Sequence, residues 1–241
     1  MDYPSNFESL PPRQDGKAIL WVVVAALALA AGLFASTQFA APDSESGVSA
    51  TDEAAETERL ALVQESLKTS LVLPLDFKTV SDFDLLDKNN QPVSQTVFDD
   101  TWSLVFFGYT HCPDVCPITL QVLKTAVAQL AEQNQPIPQI VFVSVDPVRD
   151  TSDVMKQYIG YFNDEFVGIT GELNKVHELT RSLGIVATFT ANDADPDNYI
   201  VDHTASLLLI DPQRRLRAKV TPPHEADNIV ADFLTLIAAP S

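Results

Sequence analysis

The sequence predicts an α/β domain with a mixed sheet, preceded by one N-terminal transmembrane helix. An uncharged apolar stretch near the N-terminus predicts the membrane helix, and apolar β-branched runs that alternate with helix-period segments predict the α/β domain. Closely spaced strand patterns near the C-terminus add an antiparallel part to the sheet. With 241 residues and 46% hydrophobic content, the chain has room for one domain of ordinary size plus appendages.

Residues 18–39 are predicted to form a membrane anchor. The segment "AILWVVVAALALAAGLFA" carries no charge, and the weakly polar residues after it extend it to the about 20 residues that a helix needs to cross a bilayer. A cleaved secretory signal is the alternative, but the apolar core of such a signal covers only about 7–15 residues. The length of the stretch therefore favours an anchor.

The charges around this stretch predict its orientation. Arg13 and Lys17 precede it, and no basic residue follows it until Arg59, so the positive-inside rule keeps residues 1–17 in the cytoplasm as a short stub. The stub contains acidic residues, whereas an organellar transit peptide is poor in them. The sequence thus predicts a single-pass protein of a bacterial inner membrane, with its C-terminal part in the periplasm or extracytoplasmic space.

Residues 40–74 are predicted to form an acidic linker that contains an amphipathic helix. The segment "APDSESGVSATDEAAETE" is small, polar and acidic, and it lacks the aromatic or β-branched cluster that a core needs. Towards its end Leu60, Val63, Leu67 and Leu71 recur at helical spacings of three and four. The globular domain is then predicted over residues 75–241.

The first half of this domain is predicted to contain a hairpin and a βαβ unit. "DFDLLD" and "QPVSQTVF" are typical of two short strands around a turn. The strand "SLVFFGY", the helix "ITLQVLKTAVAQLAEQ" and the buried strand "QIVFVSVDP" indicate a right-handed βαβ unit. A helix is predicted from about residue 151 to residue 162, with Asp150 as its cap.

The second half is predicted to supply the antiparallel part. A short strand "EFVGIT" and a helix "ELNKVHELTRSLG" precede a strand pair around "VATFT" and "YIVDHTASLLLID". A strand "RLRAKV" and a helix that ends near Ile237 complete the domain.

Composition excludes one class of partner. The formal net charge is −18, from 15 basic and 33 acidic residues. Binding to nucleic acid needs a basic face that neutralises phosphates, and so few basic residues can hardly form one. We therefore expect no nucleic-acid partner.

The chain has two cysteines, Cys112 and Cys116, in a loop between a predicted strand and helix. Pro117 is typical of the first position of a helix, so both thiols lie at a helix N-terminus, where the free N–H groups and the helix dipole favour the thiolate. Because the thiolate is both a nucleophile and a metal ligand, a redox pair and a metal site remain open. A structural disulfide is a third interpretation, but the short loop that it would close gives little stabilisation.

A histidine ligand would distinguish a metal site from a redox pair. Two thiolates and one imidazole form a soft, low-coordinate set that suits Cu(I), whereas zinc usually takes four ligands. His203 stands at the entry of a core strand, where a ligand and a plain structural histidine are equally plausible. His111 is expected to point away from Cys112, because neighbouring side chains on an extended segment face opposite sides. His177 and His224 are interpreted as surface histidines.

The segments "FFGYTHCPDVCP", "VFVSVDPVRDT" and "YIVDHTASLLLID" closely resemble, in this order, the Sco/SenC family of membrane-anchored copper proteins. The similarity covers the chain from about residue 75 to its end. It implies a thioredoxin-like fold and one copper ion bound by Cys112, Cys116 and His203. The donor set favours Cu(I), and Cu(II) is a second candidate. It also implies two partners, the copper-centre subunit of a membrane oxidase and a copper donor protein.

Three aspartates near these motifs are candidates for tuning the site. Asp146 ends a strand at the sheet edge where open α/β sheets bind ligands, and the resemblance also points to it, but a turn former before Pro147 is an equal alternative. Asp114 adds negative charge between the cysteines or simply forms a turn. Asp202 is a candidate to orient the His203 ring, although adjacent side chains on a strand rarely meet.

Two functions follow from these residues and the resemblance. The first is a copper metallochaperone that delivers copper to, or prepares the copper site of, a cytochrome c oxidase during assembly. The alternative is an extracytoplasmic thiol–disulfide oxidoreductase that cycles Cys112 and Cys116 and reduces the cysteines of a partner. Oxidoreductases of this fold usually present C-x-x-C, so the longer spacing and a histidine partner favour the metal role.

Overall fold

The computed structural model describes residues 50–190 and 199–239, which form an α/β fold around a mixed sheet. The predicted anchor at residues 18–39 and the predicted stub at residues 1–17 lie outside these residues. Within the described ranges, no helix is both long and apolar enough to cross a bilayer. The membrane anchor therefore stays a prediction from the sequence.

Strands and helices follow one another largely as the sequence patterns predict. The strands are β1 Ser70–Val72, β2 Asp84–Asp87, β3 Pro92–Ser94, β4 Ser103–Gly108, β5 Gln139–Ser144, β6 Val167–Thr170, β7 Ala187–Thr190, β8 Ile200–His203, β9 Leu207–Ile210 and β10 Leu216–Val220. The helices are α1 Ala50–Ser66, α2 Val115–Glu132, α3 Ser152–Phe162, α4 Leu173–Ser182 and α5 Ala226–Ala238, with a 3-10 helix at Gln95–Phe98.

Eight strands form one sheet in the order β1-β10-β9-β4-β5-β6-β2-β3. β4, β5 and β6 run parallel to one another, whereas the other neighbours pair antiparallel. The parallel pair β4 and β5, joined by α2, is the predicted βαβ unit. β2 with β3 is the predicted hairpin, but its second strand is shorter than predicted, because Gln95–Phe98 forms the 3-10 helix. The α/β fold with a mixed sheet is thereby confirmed.

β4 lies in the middle of this sheet, and all six of its residues are buried. Its ladder with β5 ends at Gly108 opposite Ser144, so the carboxyl ends of the two strands lie side by side. Phe106 of β4 and Phe142 of β5 pack with their ring centroids 5.8 Å apart. Because a strand buried on both faces has little freedom to move, the loop that follows Gly108 starts from a fixed point.

β7 and β8 form a separate two-stranded sheet, with Ala187 opposite His203. The predicted strand "YIVDHTASLLLID" is therefore two strands, because only β9 pairs with β4 and β10 in the large sheet. Directly after β8 the Thr204 N–H donates to the Val186 carbonyl at 3.0 Å, which continues the pairing of this strand with the chain before β7. His203 thus lies at the end of a small sheet and not within the main one.

The segment before residue 75 is more ordered than its composition predicts. α1 begins at Ala50, within the predicted linker, and Val63 and Leu67 pack against the core. Leu71, predicted to continue this helix, lies in β1 instead and is 52% exposed. Because β1 pairs with β10, the sheet includes residues upstream of the boundary predicted at residue 75.

Two helices begin at residues other than those predicted. α2 begins at Val115, so Cys116 lies in its first turn and Pro117 is its third residue. The cap of α3 is Thr151, whose hydroxyl accepts a hydrogen bond from the Val154 N–H at 3.4 Å. The prediction of Asp150 as this cap is wrong, because the Asp150 carboxylate is fully buried and bonded elsewhere.

A buried carboxylate on α5 fixes the turn between α1 and β1. Asp232 is 1% exposed and accepts hydrogen bonds from the backbone N–H groups of Lys68, Thr69 and Ser70 at 2.6, 2.9 and 2.9 Å. The Ser70 hydroxyl donates a further bond at 2.7 Å. Burial alone would raise the pKa of Asp232, but these hydrogen bonds outweigh it and lower that pKa.

Candidate metal centre

Three predicted ligands converge at the carboxyl end of β4. Cys112 lies in the loop after β4, Cys116 in the first turn of α2, and His203 at the end of β8. One ligand atom from each of the three residues lies within 4.8 Å of those of the other two. The structure therefore brings together three residues that are up to 91 positions apart in the sequence.

The contacts within this group centre on Cys116. Its Sγ lies 3.4 Å from His203 Nε2, and its backbone N–H donates to Cys112 Sγ, also at 3.4 Å. Both cysteines are free thiols. Cys116 is fully buried, whereas Cys112 is 9% exposed and His203 is half-buried, so the group meets solvent at Cys112 and His203 and not at Cys116.

The two thiols have opposite pKa shifts. The hydrogen bond from the Cys116 side chain is the main cause that lowers the pKa of Cys112 to about 4, and a hydrogen bond with His203 lowers it further against the effect of burial. The same bond to Cys112, together with burial, raises the pKa of Cys116. At neutral pH Cys112 is therefore the thiolate, and Cys116 keeps its proton until a metal ion or oxidation displaces it.

The His203 ring is oriented by its surroundings. Its Nδ1 lies 3.3 Å from the Thr204 carbonyl, and its Nε2 faces Cys116 Sγ at 3.4 Å. The edges of Phe106 and Tyr109 pack around the ring, with centroid distances of 6.1 and 6.0 Å. Two sulfurs and one imidazole nitrogen in this arrangement fit a soft metal ion with few ligands.

The three predicted tuning aspartates lie in different environments. Asp146 is fully buried and bonded to Arg149 and Tyr199. Asp114 is exposed at the start of α2 and makes no capping bond with its side chain. Asp202 is exposed and accepts a hydrogen bond from the Thr190 hydroxyl at 3.3 Å, so it joins β8 to β7 on the solvent side.

The other histidines take part in separate contacts. His111 is exposed, and its Nδ1 lies 3.0 Å from the Thr110 hydroxyl. His177 is half-buried on α4 and packs beside Phe189. His224 is also half-buried, so neither of these two histidines is the surface residue that the sequence predicted, and the His224 Nε2 donates to the Ala205 carbonyl at 2.8 Å. Burial lowers the pKa of His224, so this histidine is neutral at physiological pH and supports the segment that follows His203.

Sequence reasoning missed one buried network below the cysteine loop. Asp150 accepts hydrogen bonds from the Thr110 N–H at 3.0 Å, the Thr110 hydroxyl at 2.5 Å and the Ser144 hydroxyl at 2.6 Å. Burial is the main cause that raises the pKa of Asp150. The network joins the ends of β4 and β5, and the clue in the sequence was a second aspartate only four residues after Asp146.

Gly108 leaves the space that Cys116 occupies. A Cβ at residue 108 would lie 2.8 Å from Cys116 Sγ and 2.8 Å from Phe142 Cε2. Because Phe142 is fixed in the core, we expect Gly108→Ala to displace Cys116 Sγ and to lower the affinity for Cu(I), the ion predicted from the sequence, by roughly tenfold. A competition titration on folded protein measures this change.

Gly160→Ala is the matched control for that substitution. The added methyl group would meet only the Asp164 carboxylate, at the end of a flexible side chain. Unchanged Cu(I) affinity in Gly108→Ala, with the fold intact, would contradict the close packing of Gly108 on Cys116.

The comparisons with known proteins all indicate the same family. A model of the SCO1/SenC family matches residues 74–238. A Stutzerimonas stutzeri protein whose name describes it as copper-binding is 33% identical over 162 residues, which cover 66% of this chain and 76% of that protein. The mouse protein named SCO2 homolog, mitochondrial, is 36% identical over 159 residues, and the match covers 66% of this chain but 62% of the mouse protein, less than two thirds of its length.

Solved structures agree with this match. The structure of Arabidopsis thaliana ScoI with copper bound superimposes with a TM-score of 0.63 at 27% identity, covering 66% of this chain and 98% of that one. The similarity confirms the predicted thioredoxin-like α/β fold with a mixed sheet. The segment matched by the family model spans more than half of the chain and contains Cys112, Cys116 and His203. Sequence motifs, fold and matched segment agree, and the chain belongs to the SCO1/SenC family.

Proposed function

We propose that this protein binds copper through Cys112, Cys116 and His203 and delivers it to, or prepares the copper site of, a cytochrome c oxidase during assembly. The observation that carries the proposal is the convergence of two sulfurs and one imidazole nitrogen within 4.8 Å at the edge of the sheet. Family membership supports it, as do the copper named for the Stutzerimonas relative and the copper bound in the Arabidopsis structure.

The donor set favours Cu(I) as the cargo. Thiolates are soft ligands that select Cu(I), and imidazole suits both oxidation states of copper, which leaves Cu(II) as a second state. Binding of Cu(I) requires the Cys116 proton to leave, because only the thiolate is a strong ligand. The rings of Phe106 and Tyr109 pack against the His203 imidazole and help to hold it beside the thiols.

The same geometry supports transfer to a partner. Three ligands leave copper able to accept a further donor, so a ligand of the acceptor can bind before the resident ligands leave. Cys112 is the more exposed thiol, and exchange therefore begins on its side of the site. We propose the copper-centre subunit of a membrane oxidase as the acceptor, with a copper donor protein that loads the site by the reverse exchange.

Oxidation of the two thiols is expected to abolish tight Cu(I) binding. A disulfide between Cys112 and Cys116 occupies both sulfurs, so His203 remains as a single ligand. Anaerobic titration of the purified full-length protein with Cu(I) and a competing chromophoric chelator should give one tightly bound ion in the reduced state and none in the oxidised state. Reduction should restore binding.

Two results of this titration would contradict the proposal. Equal affinity in both redox states would mean that copper binds elsewhere. Failure of the reduced, folded protein to bind Cu(I) at all would favour the thiol–disulfide oxidoreductase instead.

The proposed location follows from the sequence alone. We propose that the protein is anchored in a bacterial inner membrane by residues 18–39, with the copper domain outside the cytoplasm. A reporter enzyme fused after Ser241 should be active only if it is of the kind that requires export. Activity of a reporter that works only in the cytoplasm would contradict this topology.

A further inference from the structure

We propose that Arg149 and Tyr199, joined through Asp146, form a clamp that positions the His203 imidazole against the thiols. The inference rests on the proposed copper function and concerns positioning rather than ligation. It starts from β7 and β8, here called the histidine arm, which form a sheet of their own outside the main eight-stranded sheet. Contacts other than the main ladder must therefore hold the arm in place.

Asp146 forms the base of the clamp. It follows β5, is fully buried, and accepts hydrogen bonds at both of its carboxylate oxygens. The Tyr199 hydroxyl donates to Oδ1 at 2.6 Å, and Arg149 Nε donates to Oδ2. The carboxylate thus links the end of a main-sheet strand to the residue directly before β8, and its charge is balanced by Arg149.

Arg149 holds Tyr199 by two further contacts. Its guanidinium carbon lies 3.6 Å from the centroid of the Tyr199 ring, which is a close cation–π contact. Its Nη1 donates to the Tyr199 carbonyl at 3.0 Å. One guanidinium therefore fixes both the side chain and the backbone of Tyr199. The planar guanidinium can stack on the ring and donate at its edge, and a lysine ammonium cannot do both.

A weaker contact continues the attachment towards His203. The Val201 N–H donates to the Tyr109 hydroxyl at 3.4 Å, and Val201 is 2% exposed. Tyr199, Val201 and His203 alternate along one extended segment, so their side chains face the same side. A shift at Tyr199 is therefore carried along the strand to the imidazole four residues later.

Tyr199 remains a hydrogen-bond donor over the physiological pH range. Burial is the main cause that raises the pKa of Tyr199 to about 12, and the hydrogen bond to Asp146 raises it further. The Tyr199 hydroxyl therefore keeps its proton and donates to the carboxylate.

Two substitutions test the clamp without touching a ligand. Tyr199→Phe keeps the ring under Arg149 and removes only the hydroxyl, and we expect roughly tenfold weaker Cu(I) binding by full-length reduced protein. Arg149→Met keeps most of the side-chain volume and removes the guanidinium, and we expect a loss between about 10-fold and 100-fold. Arg149→Lys should recover little of this loss, because its ammonium cannot make the same set of contacts.

Tyr161→Phe is the matched control. Tyr161 lies on α3, is 80% exposed and contacts Phe162 by its ring edge. Its Cu(I) affinity should equal that of the wild-type protein. X-ray absorption of the Cu(I)-loaded proteins provides a second readout, and we expect the nitrogen ligand to be weakened or lost in Arg149→Met while both sulfurs remain.

A double-mutant cycle with His203→Ala decides how the clamp acts. If the clamp works through the imidazole, Tyr199→Phe and Arg149→Met should have no further effect on Cu(I) affinity once His203 is alanine. Equal losses in both backgrounds would show a general structural effect and overturn the inference. Wild-type affinity and an intact nitrogen ligand in Tyr199→Phe and Arg149→Met would also overturn it.

The same cycle separates this inference from the proposed function. If His203→Ala binds Cu(I) as tightly as the wild-type protein, the three-ligand site itself is wrong. If His203→Ala weakens binding but neither clamp variant does, only the clamp is wrong. If Arg149→Met does not fold, Tyr199→Phe alone decides whether the clamp exists, because it removes only a single oxygen.

Discussion

Cys116→Ser is expected to lower the Cu(I) affinity of the reduced protein by more than about 100-fold, beyond the range typical for residues that support a metal ligand. Cys116 contacts both other ligands, through its Sγ to His203 and its N–H to Cys112. Serine replaces a soft thiolate with a hydroxyl that does not ionise at neutral pH. Competition titration under anaerobic conditions measures the loss.

His203→Ala should weaken Cu(I) binding less than either cysteine substitution, because thiolate is the stronger ligand for Cu(I). It should leave disulfide formation intact, since the imidazole takes no part in the sulfur–sulfur bond. His177→Ala is the better histidine control, because His224 supports the segment after His203 through the Ala205 carbonyl. Wild-type affinity in folded His203→Ala would contradict the assignment of three ligands.

Asp232→Ala is expected to lower the free energy of unfolding by about 3 kcal/mol at neutral pH, because it leaves several buried donors without an acceptor. The backbone N–H groups of Lys68, Thr69 and Ser70 all point at this carboxylate. Loss of the bonds should also release α1 and β1 from α5. Denaturant unfolding of the full-length protein gives the change in free energy.

The effect of Asp232 should depend on pH in a defined direction. Its pKa is lowered in the folded protein, so its stabilising contribution is fully present above the unfolded value of about 3.9. The contribution disappears as the pH falls through the lower folded pKa, and the difference between the wild-type protein and Asp232→Ala should shrink there. Asp84→Ala is the control, because Asp84 is 77% exposed and pairs with Lys175 on the surface. A difference that does not change with pH would contradict the role of the ionised carboxylate.

Local patterns predicted most of the sheet and failed where stability comes from distant contacts. The βαβ unit and the first hairpin follow from β-branched runs, helical spacing and turn residues that lie next to one another in the sequence. Helical spacing predicted a helix in the acidic segment before residue 75, but the linker-like composition hid its early start at Ala50. Val63 and Leu67 pack this segment on the core. Asp232 was not recognised because its donors lie 162 to 164 residues away.

The residues of the candidate site were likewise predicted where they are close in the sequence and missed where they are distant. The two cysteines are close in the sequence, so the predicted strand, loop and helix start were enough to locate both thiols at the end of β4. His203 could be chosen from the residues alone only at even odds, and the family resemblance selected it. The contact between Arg149 and Tyr199 joins residues that are 50 positions apart, and no local spacing in the sequence predicts it. Asp146 was predicted to be near the site, but its partners could be known only from the structure.

The separate sheet that carries His203 has a consequence for the rate of copper release. Every residue of β4 is buried, whereas three of the four residues of β7 are exposed. Strands with little coverage open locally at a lower free energy than the core and exchange their amide hydrogens sooner. The arm is therefore expected to open more often than the core and to withdraw the imidazole, so that an acceptor ligand that enters at Cys112 meets an ion held by fewer resident ligands. The lifetime of the loaded protein is then expected to depend on how often this arm opens as well as on the strength of the copper–sulfur bonds.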